Sequence, residues 1–385
     1  MASAIMLGLW GGLFAVGIFT GMYDSMVNSS IDRDLTHMQL HVRGFREERL
    51  ISMAIPAPDS VIGRIRLVAG VRAVTARTVV DGMGSSPTSS EGVRIVGIVP
   101  EIERQATAIS QHIIEGKFFG GDERLPIVIG RKLAERLGLR LRAKLVLSFQ
   151  RTDGTIMYGA FRIAGLFDTE STAFDGMNVF VRQSDLDGLL GTRLIHEIAV
   201  RLTTNDSLPS VQETLARAFP DLQVETWQDL APELKLTAES ADLTNAIFLG
   251  IILLALLFGV TNTMLMSVMD RVREFGMLMA VGMKRGRIFV MIIVETVLLS
   301  TSGSIAGIIL GSVTVALFGH VGIDLAWVSE GLSLYNISTM LYPVVHPSVY
   351  PTLGLMVVVA ALIAALYPAL KATRLNPVSA LATIG

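Results

Sequence analysis

Four long stretches of the chain carry almost no charge. Residues 1–23 and 243–269 contain none, 288–318 contain only Glu295, and 347–370 contain none. About 20 apolar residues in a helix cross the roughly 30 Å hydrocarbon core of a bilayer. The pattern therefore predicts four transmembrane helices, over 1–23, 245–269, 288–318 and 347–370. The first could instead be a cleaved signal peptide, but it lacks a basic start and a convincing small-residue cleavage site, which favours a retained helix.

The composition divides the chain into two kinds of segment. Hydrophobic residues make up 51% of it and charged residues only 17%, against about 25% charged in ordinary soluble proteins. Of the charged residues, 54 lie in 24–244, which reads as a domain of ordinary composition.

The net charge of −2 indicates no basic surface for nucleic acid. The absence of cysteine excludes Cys-ligated metals and Cys nucleophiles.

The short connections between the helices set the orientation. Segment 270–287 holds five Lys and Arg residues, whereas 319–350 holds none, and the tail adds Lys371 and Arg374. Lys and Arg are retained on the cytoplasmic side of the membrane. Segments 270–287 and 371–385 are therefore predicted to be cytoplasmic. The domain 24–244 and the loop 319–346 then face outward.

The outward domain is predicted to be α+β. A strand, helix and strand succession occurs in 36–80 and again in 195–227, which indicates two βαβ units. Between them, 91–190 are dense in short strand patterns, with one helix over Arg131–Leu137. The predicted fold class is a membrane protein with four transmembrane α-helices and a large α+β extracytoplasmic domain, in which the two βαβ units flank a β-rich insertion.

No metal site is predicted in this domain. Asp168, Glu170 and Asp175 do not have the spacing of a calcium-binding EF-hand loop and are interpreted as solvated loop acids. His37 and His41 lie four residues apart, a spacing that suits a metal on a helix. Their position on or beside a strand argues against such a site.

Three segments resemble one family. The first runs from Arg271 to Ile288 and contains Glu-x-Gly-x-Leu-x-Ala-x-Gly, and the second is Glu295 followed by Gly303, Gly307 and Gly311. The third is the tail from Tyr367 to Leu381, with Pro368 near its start. Together they resemble the MacB/FtsX-type, or type VII, ABC transporter permeases over nearly the whole chain. Segments 129–138 and 161–167 look most like the lipoprotein-releasing permeases of the LolC/LolE kind.

The resemblance implies a partner ATPase. The chain contains no Gly-x4-Gly-Lys-Ser/Thr phosphate loop, so no cofactor is expected in it, and ATP and magnesium are expected in a separate ABC ATPase dimer. A short cytoplasmic coupling helix would dock that subunit. The residues that the resemblance assigns to this contact are Arg273, Glu274, Phe275, Gly276, Met277, Leu278, Met279, Ala280 and Gly282. The alternative is a loop whose basic residues only set orientation.

The third predicted span contains two candidate functional features, a row of glycines and one carboxylate. Gly303, Gly307 and Gly311 recur every fourth residue on one helix face, which permits close packing either within the bundle or across a dimer. Glu295 is an ionisable group inside a predicted span, where such groups are costly and face protein or water. We interpret it as a structural or gating tie in preference to a proton relay, because ATP would supply the energy.

Three functions follow as expectations from the resemblance. The first is release of lipoproteins from the bacterial inner membrane to a periplasmic carrier, with a second permease copy or homologue and membrane lipids as further partners. The second is efflux of an amphiphilic antibiotic or peptide through an adaptor protein. The third is regulation of a cell-wall hydrolase without transport.

Overall fold

The computed structural model describes residues 1–120, 124–169, 171–328, 331 and 340–373. They form two compact units. The first contains Met1–Asp24, Thr237–Leu325 and the described residues from Met340 onward, and the second is mainly Ser25–Leu236. We call them the membrane unit and the outer domain.

The helices of the described residues are numbered in chain order. They are α1 (Ala2–Ser30), α2 (Phe45–Glu48), α3 (Pro58–Ile65), α4 (Pro100–Ala106), α5 (Arg131–Leu137), α6 (Thr172–Asp175), α7 (Gln183–Leu190), α8 (Leu208–Ala218), α9 (Trp227–Leu230), α10 (Pro232–Asp270), α11 (Val272–Ala280), α12 (Arg285–Val321) and α13 (Val349–Thr373).

The strands are numbered in the same way. They are β1 (Met38–Val42), β2 (Val71–Ser85), β3 (Ser90–Ile98), β4 (Ile113–Gly116), β5 (Pro126–Gly130), β6 (Lys144–Gln150), β7 (Ile156–Phe167), β8 (Asn178–Arg182), β9 (Glu197–Leu202), β10 (Leu222–Thr226), β11 (Ile323–Asp324) and β12 (Met340–Leu341).

Among the described residues, four helices are long and apolar enough to cross a membrane, as predicted. Their bounds differ from the predicted spans. α1 continues to Ser30 rather than 23, and a π-helical turn over Ile31–Leu35 follows it. α10 begins at Pro232, so the outer domain ends near Leu236 instead of 244. Polarity marks where lipid contact stops, whereas a helix continues until its backbone meets a capping or breaking residue.

The two βαβ units share one antiparallel sheet. Its strand order is β10-β1-β9-β2, because β1 pairs with both β9 and β10 and β9 also pairs with β2. The two strands of each unit are therefore separated by a strand of the other unit. The prediction of two units flanking an insertion holds along the sequence, but in space the units interleave as a split βαβ pair.

The β-rich insertion closes into a six-stranded barrel with β2. The pairings run β2-β3-β8-β5-β7-β6 and return to β2. β6 shows why the sequence folds this way: Leu145, Leu147 and Phe149 are buried while Lys144 and Gln150 are exposed. The alternate residues of the barrel strands fill one apolar core. β2 belongs to both structures, since its first half pairs with β9 and its second with β3.

The interpretation of the loop acids is wrong for one of them. Asp175 is only 2% exposed, and its carboxylate accepts hydrogen bonds from the backbone N–H and hydroxyl of Thr169 at 2.8 and 2.7 Å. Burial raises the pKa of Asp175 to about 7. Asp168 is paired with Arg131 at 2.8 Å near the surface. Glu170 lies outside the described residues.

Candidate functional site

The predicted coupling segment folds as helix α11 with one buried and one exposed face. Phe275 is 1% exposed and joins the apolar core of the membrane unit with Ile288, and Leu278 packs partly against the same core. The exposed face carries Arg273, Glu274, Met277 and Ala280. Helical spacing alone cannot say which face packs inward, and the expectation that Phe275 is presented to a partner is wrong because Phe275 is buried, as is Gly276.

Gly282 ends this helix instead of extending its exposed face. Its φ of +102° lies in the region that glycine adopts without strain. The N–H of Gly282 donates to the carbonyl of Met279 at 3.1 Å, and that of Met283 donates to the carbonyl of Leu278 at 3.0 Å. This pair of bonds is a Schellman motif, so the turn into α12 is fixed by the backbone.

Arg271, which the sequence reasoning did not select, is the ionic partner of Glu295. Its Nη1 lies 3.0 and 3.1 Å from the two carboxylate oxygens of Glu295, and its Nε donates to Glu274 at 2.8 Å. The guanidinium also lies over the ring of Phe275, 5.3 Å from its centroid. The hydrogen bond to Glu274 and the nearby Glu295 raise the pKa of Arg271. One side chain thus connects the start of α11 to α12.

The glycine face of α12 packs against α1 of the same chain. A Cβ atom added at Gly303 would lie 2.6 Å from the carbonyl oxygen of Ala2. One at Gly307 would lie 2.8 Å from the carbonyl oxygen of Met6, and one at Gly311 would lie 2.6 Å from Leu13 Cδ2. Each distance is shorter than a normal carbon contact. The close approach is therefore made within the bundle.

An apolar groove of about 180 Å³ lies between α1 and α10. Small residues line both sides of it, including Ala4 and Gly8 from α1 and Ala255 and Gly259 from α10. Larger side chains, among them Ile5 and Leu256, also line it. Because the lining is almost entirely hydrocarbon, the groove can take an apolar chain or ring and offers little to a charged group.

The geometry defines a class: a multi-span membrane protein with an extracytoplasmic α/β domain and an amphipathic helix between its second and third spans. Comparison with models of known protein families identifies the family within this class. The MacB-like periplasmic core domain matches residues 1–218, and the FtsX-like permease C-terminal region matches 246–377. The chain therefore belongs to the MacB/FtsX-type family of ABC transporter permeases, which confirms the predicted family.

Relatives of two kinds match the chain. The macrolide export ATP-binding/permease protein MacB of Hyphomonas neptunium is 26% identical over 325 residues, covering 80% of this chain and 45% of that protein. The lipoprotein-releasing system transmembrane protein LolC of Xylella fastidiosa is 23% identical over 309 residues, covering 74% of this chain and 71% of that protein. The chain thus spans less than half of the length of the Hyphomonas relative.

A solved structure also matches the chain. The periplasmic region of MacB from Actinobacillus actinomycetemcomitans is 14% identical and covers 53% of this chain and 94% of its own, with a TM-score of 0.36.

Proposed function

We propose that this permease transmits ATP binding by a separate cytoplasmic ABC ATPase dimer to its membrane helices, and that it does so from the inner membrane. The observation that carries the proposal is the division of α11 into two faces. The buried face, anchored by Phe275, fixes the helix in the membrane unit, while Met277 and Ala280 remain exposed. A helix presented in this way can lie in a groove of a partner subunit.

The ion pair between Arg271 and Glu295 connects the docked helix to α12. A movement imposed on α11 pulls the Arg271 guanidinium, and the two bonds to Glu295 transfer that displacement to α12. The glycine face of α12 then carries it to α1, because those two helices are in backbone contact at Gly303 and Gly307. In this scheme Glu295 acts as a gating tie.

The docking part is tested by placing a charge on the exposed face of α11. Met277 is 53% exposed, so Met277→Asp leaves the core intact but puts a carboxylate into the proposed apolar contact. We expect the variant, purified with its ATPase and reconstituted in liposomes, to lose stimulation of ATP hydrolysis. The matched control is Arg287→Gln, which changes an exposed cytoplasmic residue outside α11. If Met277→Asp stimulates ATP hydrolysis as well as Arg287→Gln and the wild-type protein do, the docking proposal is wrong.

For the cargo, we propose the acyl anchors of lipoproteins, handed to a periplasmic carrier. The groove between α1 and α10 supports this choice, since its hydrocarbon lining suits an acyl chain. Extraction needs an energy source because each buried CH2 contributes about 0.8 kcal/mol to membrane anchoring. Depletion of the protein followed by membrane fractionation should leave outer-membrane lipoproteins in the inner membrane. Normal sorting would contradict the proposal.

Export of an amphiphilic antibiotic through an adaptor is the second candidate. It is favoured by the similarity to proteins named for macrolide export, and the same groove suits an apolar ring system. Deletion should then raise susceptibility to macrolides while lipoprotein sorting stays normal. The two measurements together separate the cargo classes.

A further inference from the structure

A second cavity, of about 290 Å³, lies within the outer domain on one face of its strands. Arg77 and Val79 of β2, Arg94 and Val96 of β3, and Asn178 and Phe180 of β8 are spaced two residues apart. They therefore share a face of the sheet. Val80, Ile95 and Val179, each next to one of these residues and therefore on the opposite face, belong to the barrel core. The volume is just below the ~300–1,000 Å³ typical of ligand sites.

Alternating charges lie along the floor of this cavity and directly beside it, and the arginines among them are already paired. Arg77 lies 2.6 Å from Glu103 and 2.5 Å from Glu197. His41 lies between Glu197 and Glu225, at 3.7 and 3.4 Å, and Arg46 lies 3.1 Å from Glu225. Each carboxylate in the chain has a cationic or imidazole neighbour. Arg46 and Arg77 are thus both engaged by carboxylates.

The mouth of the cavity is different, because two arginines there share one carboxylate. Arg49 and Arg94 lie 3.7 and 3.8 Å from the two oxygens of Asp81. Both distances exceed those of good hydrogen bonds, about 2.7–3.2 Å. Burial and, after it, the positive charge of Arg49 lower the pKa of Arg94. The two guanidiniums therefore repel each other and share Asp81 through long contacts only, although Asp34 and Glu197 also act on Arg94.

The backbone conformation at Arg49 also suits glycine, which makes Arg49→Gly a clean test of its side chain. Arg49 follows α2 with φ of +50°, in the left-handed region that favours glycine. Glycine would fit this position without strain but could not reach the cavity.

We propose that this cavity binds a small oxyanion, a carboxylate or phosphate group attached to an apolar body. Arg49 and Arg94 would hold the oxyanion, since guanidinium groups bind both anions through paired N–H donors. Phe45, Phe174 and Phe180 line the same cavity and would contact the apolar part. The site belongs to the outer domain and does not depend on the function proposed for the membrane unit.

The test is a titration of the purified full-length protein in nanodiscs with phenyl phosphate and with benzoate, followed by calorimetry. Benzyl alcohol, which has the ring without the charge, is the ligand control. We expect saturable binding of at least one anion and none of the alcohol. If only phenyl phosphate binds, the natural ligand carries a phosphate; if only benzoate binds, it carries a carboxylate.

Three variants make the test specific. Arg49→Gly removes the guanidinium and relieves the backbone strain, so binding should weaken about tenfold or more without loss of thermal stability. Asp81→Asn removes the competing carboxylate and should tighten binding severalfold. Arg217→Gln, at a 78% exposed arginine of α8, should change nothing. Absence of saturable anion binding, equal binding of benzyl alcohol, or an affinity unchanged by both Arg49→Gly and Asp81→Asn would overturn the proposal.

Discussion

Adding one methyl group at Gly307 tests how tightly α1 and α12 are packed. The Cβ of Gly307→Ala would lie 2.8 Å from the carbonyl oxygen of Met6 and 3.0 Å from Leu9 Cβ. Neither atom is the far end of a flexible side chain, so the helices must separate. Overpacking of this kind costs about 1–3 kcal/mol, while replacing glycine by alanine in a helix gains up to about 1 kcal/mol. We expect a net loss of about 0–2 kcal/mol of stability.

A matched control isolates the steric part. Gly250 lies in α10, and a Cβ there would meet nothing within 4 Å, so Gly250→Ala keeps the helix gain without the clash. Gly307→Ala should therefore be about 1–3 kcal/mol less stable than Gly250→Ala. The assay is unfolding in a titration of denaturing detergent, followed by tryptophan fluorescence. Trp10 is a local reporter, because its indole N–H donates to Thr314 of α12 at 3.0 Å. Equal stability of the two alanine variants would refute the close packing.

Three further outcomes are expected. The single charge reversals Arg271→Glu and Glu295→Arg should each impair stimulation of the partner ATPase, and the double reversal should restore most of it; a double variant as defective as the singles would contradict the connection through this ion pair. Because the folded pKa of Asp175 is raised to about 7 from an unfolded value near 4, its protonated form stabilises the outer domain at low pH, and that stability is lost as the pH rises through about 7. Wild-type thermal stability should therefore fall more between pH 5 and pH 8 than that of Asp175→Asn, and parallel curves would argue against it. In intact cells with a permeabilised outer membrane, an impermeant maleimide should label Ser210→Cys but not Gly286→Cys, and labelling of the latter would reverse the orientation.

Local patterns predicted the elements well and the long-range pairings poorly. The helix over Arg131–Leu137 matches its predicted bounds, and strands such as β6 lie in the region predicted to be β-rich, because local patterning acts within a few residues. The interleaved sheet depends on β1 pairing with β9, about 160 residues further along the chain. No periodicity in either segment carries that information.

The candidate site shows the same limit. The amphipathic character of α11 was readable from the sequence, but its inward face was not, since both faces contain apolar residues. Arg271 directly precedes α11 and Glu295 lies in α12, and the two meet because the turn at Gly282 folds α12 back. The signal that could have found the pair is a lone carboxylate in a span that follows a short basic connection, because a buried charge requires a partner.

The sharing of β2 between barrel and sheet has a consequence for biogenesis. All six barrel strands lie between Val71 and Arg182, whereas the sheet also needs β9 and β10, which end at Thr226. A chain that emerges from its N-terminus first can close the barrel while the first half of β2 still lacks its neighbour β9. An export intermediate halted just after β8 would therefore be a finished barrel with an unpaired strand edge, the form most exposed to mispairing with another chain.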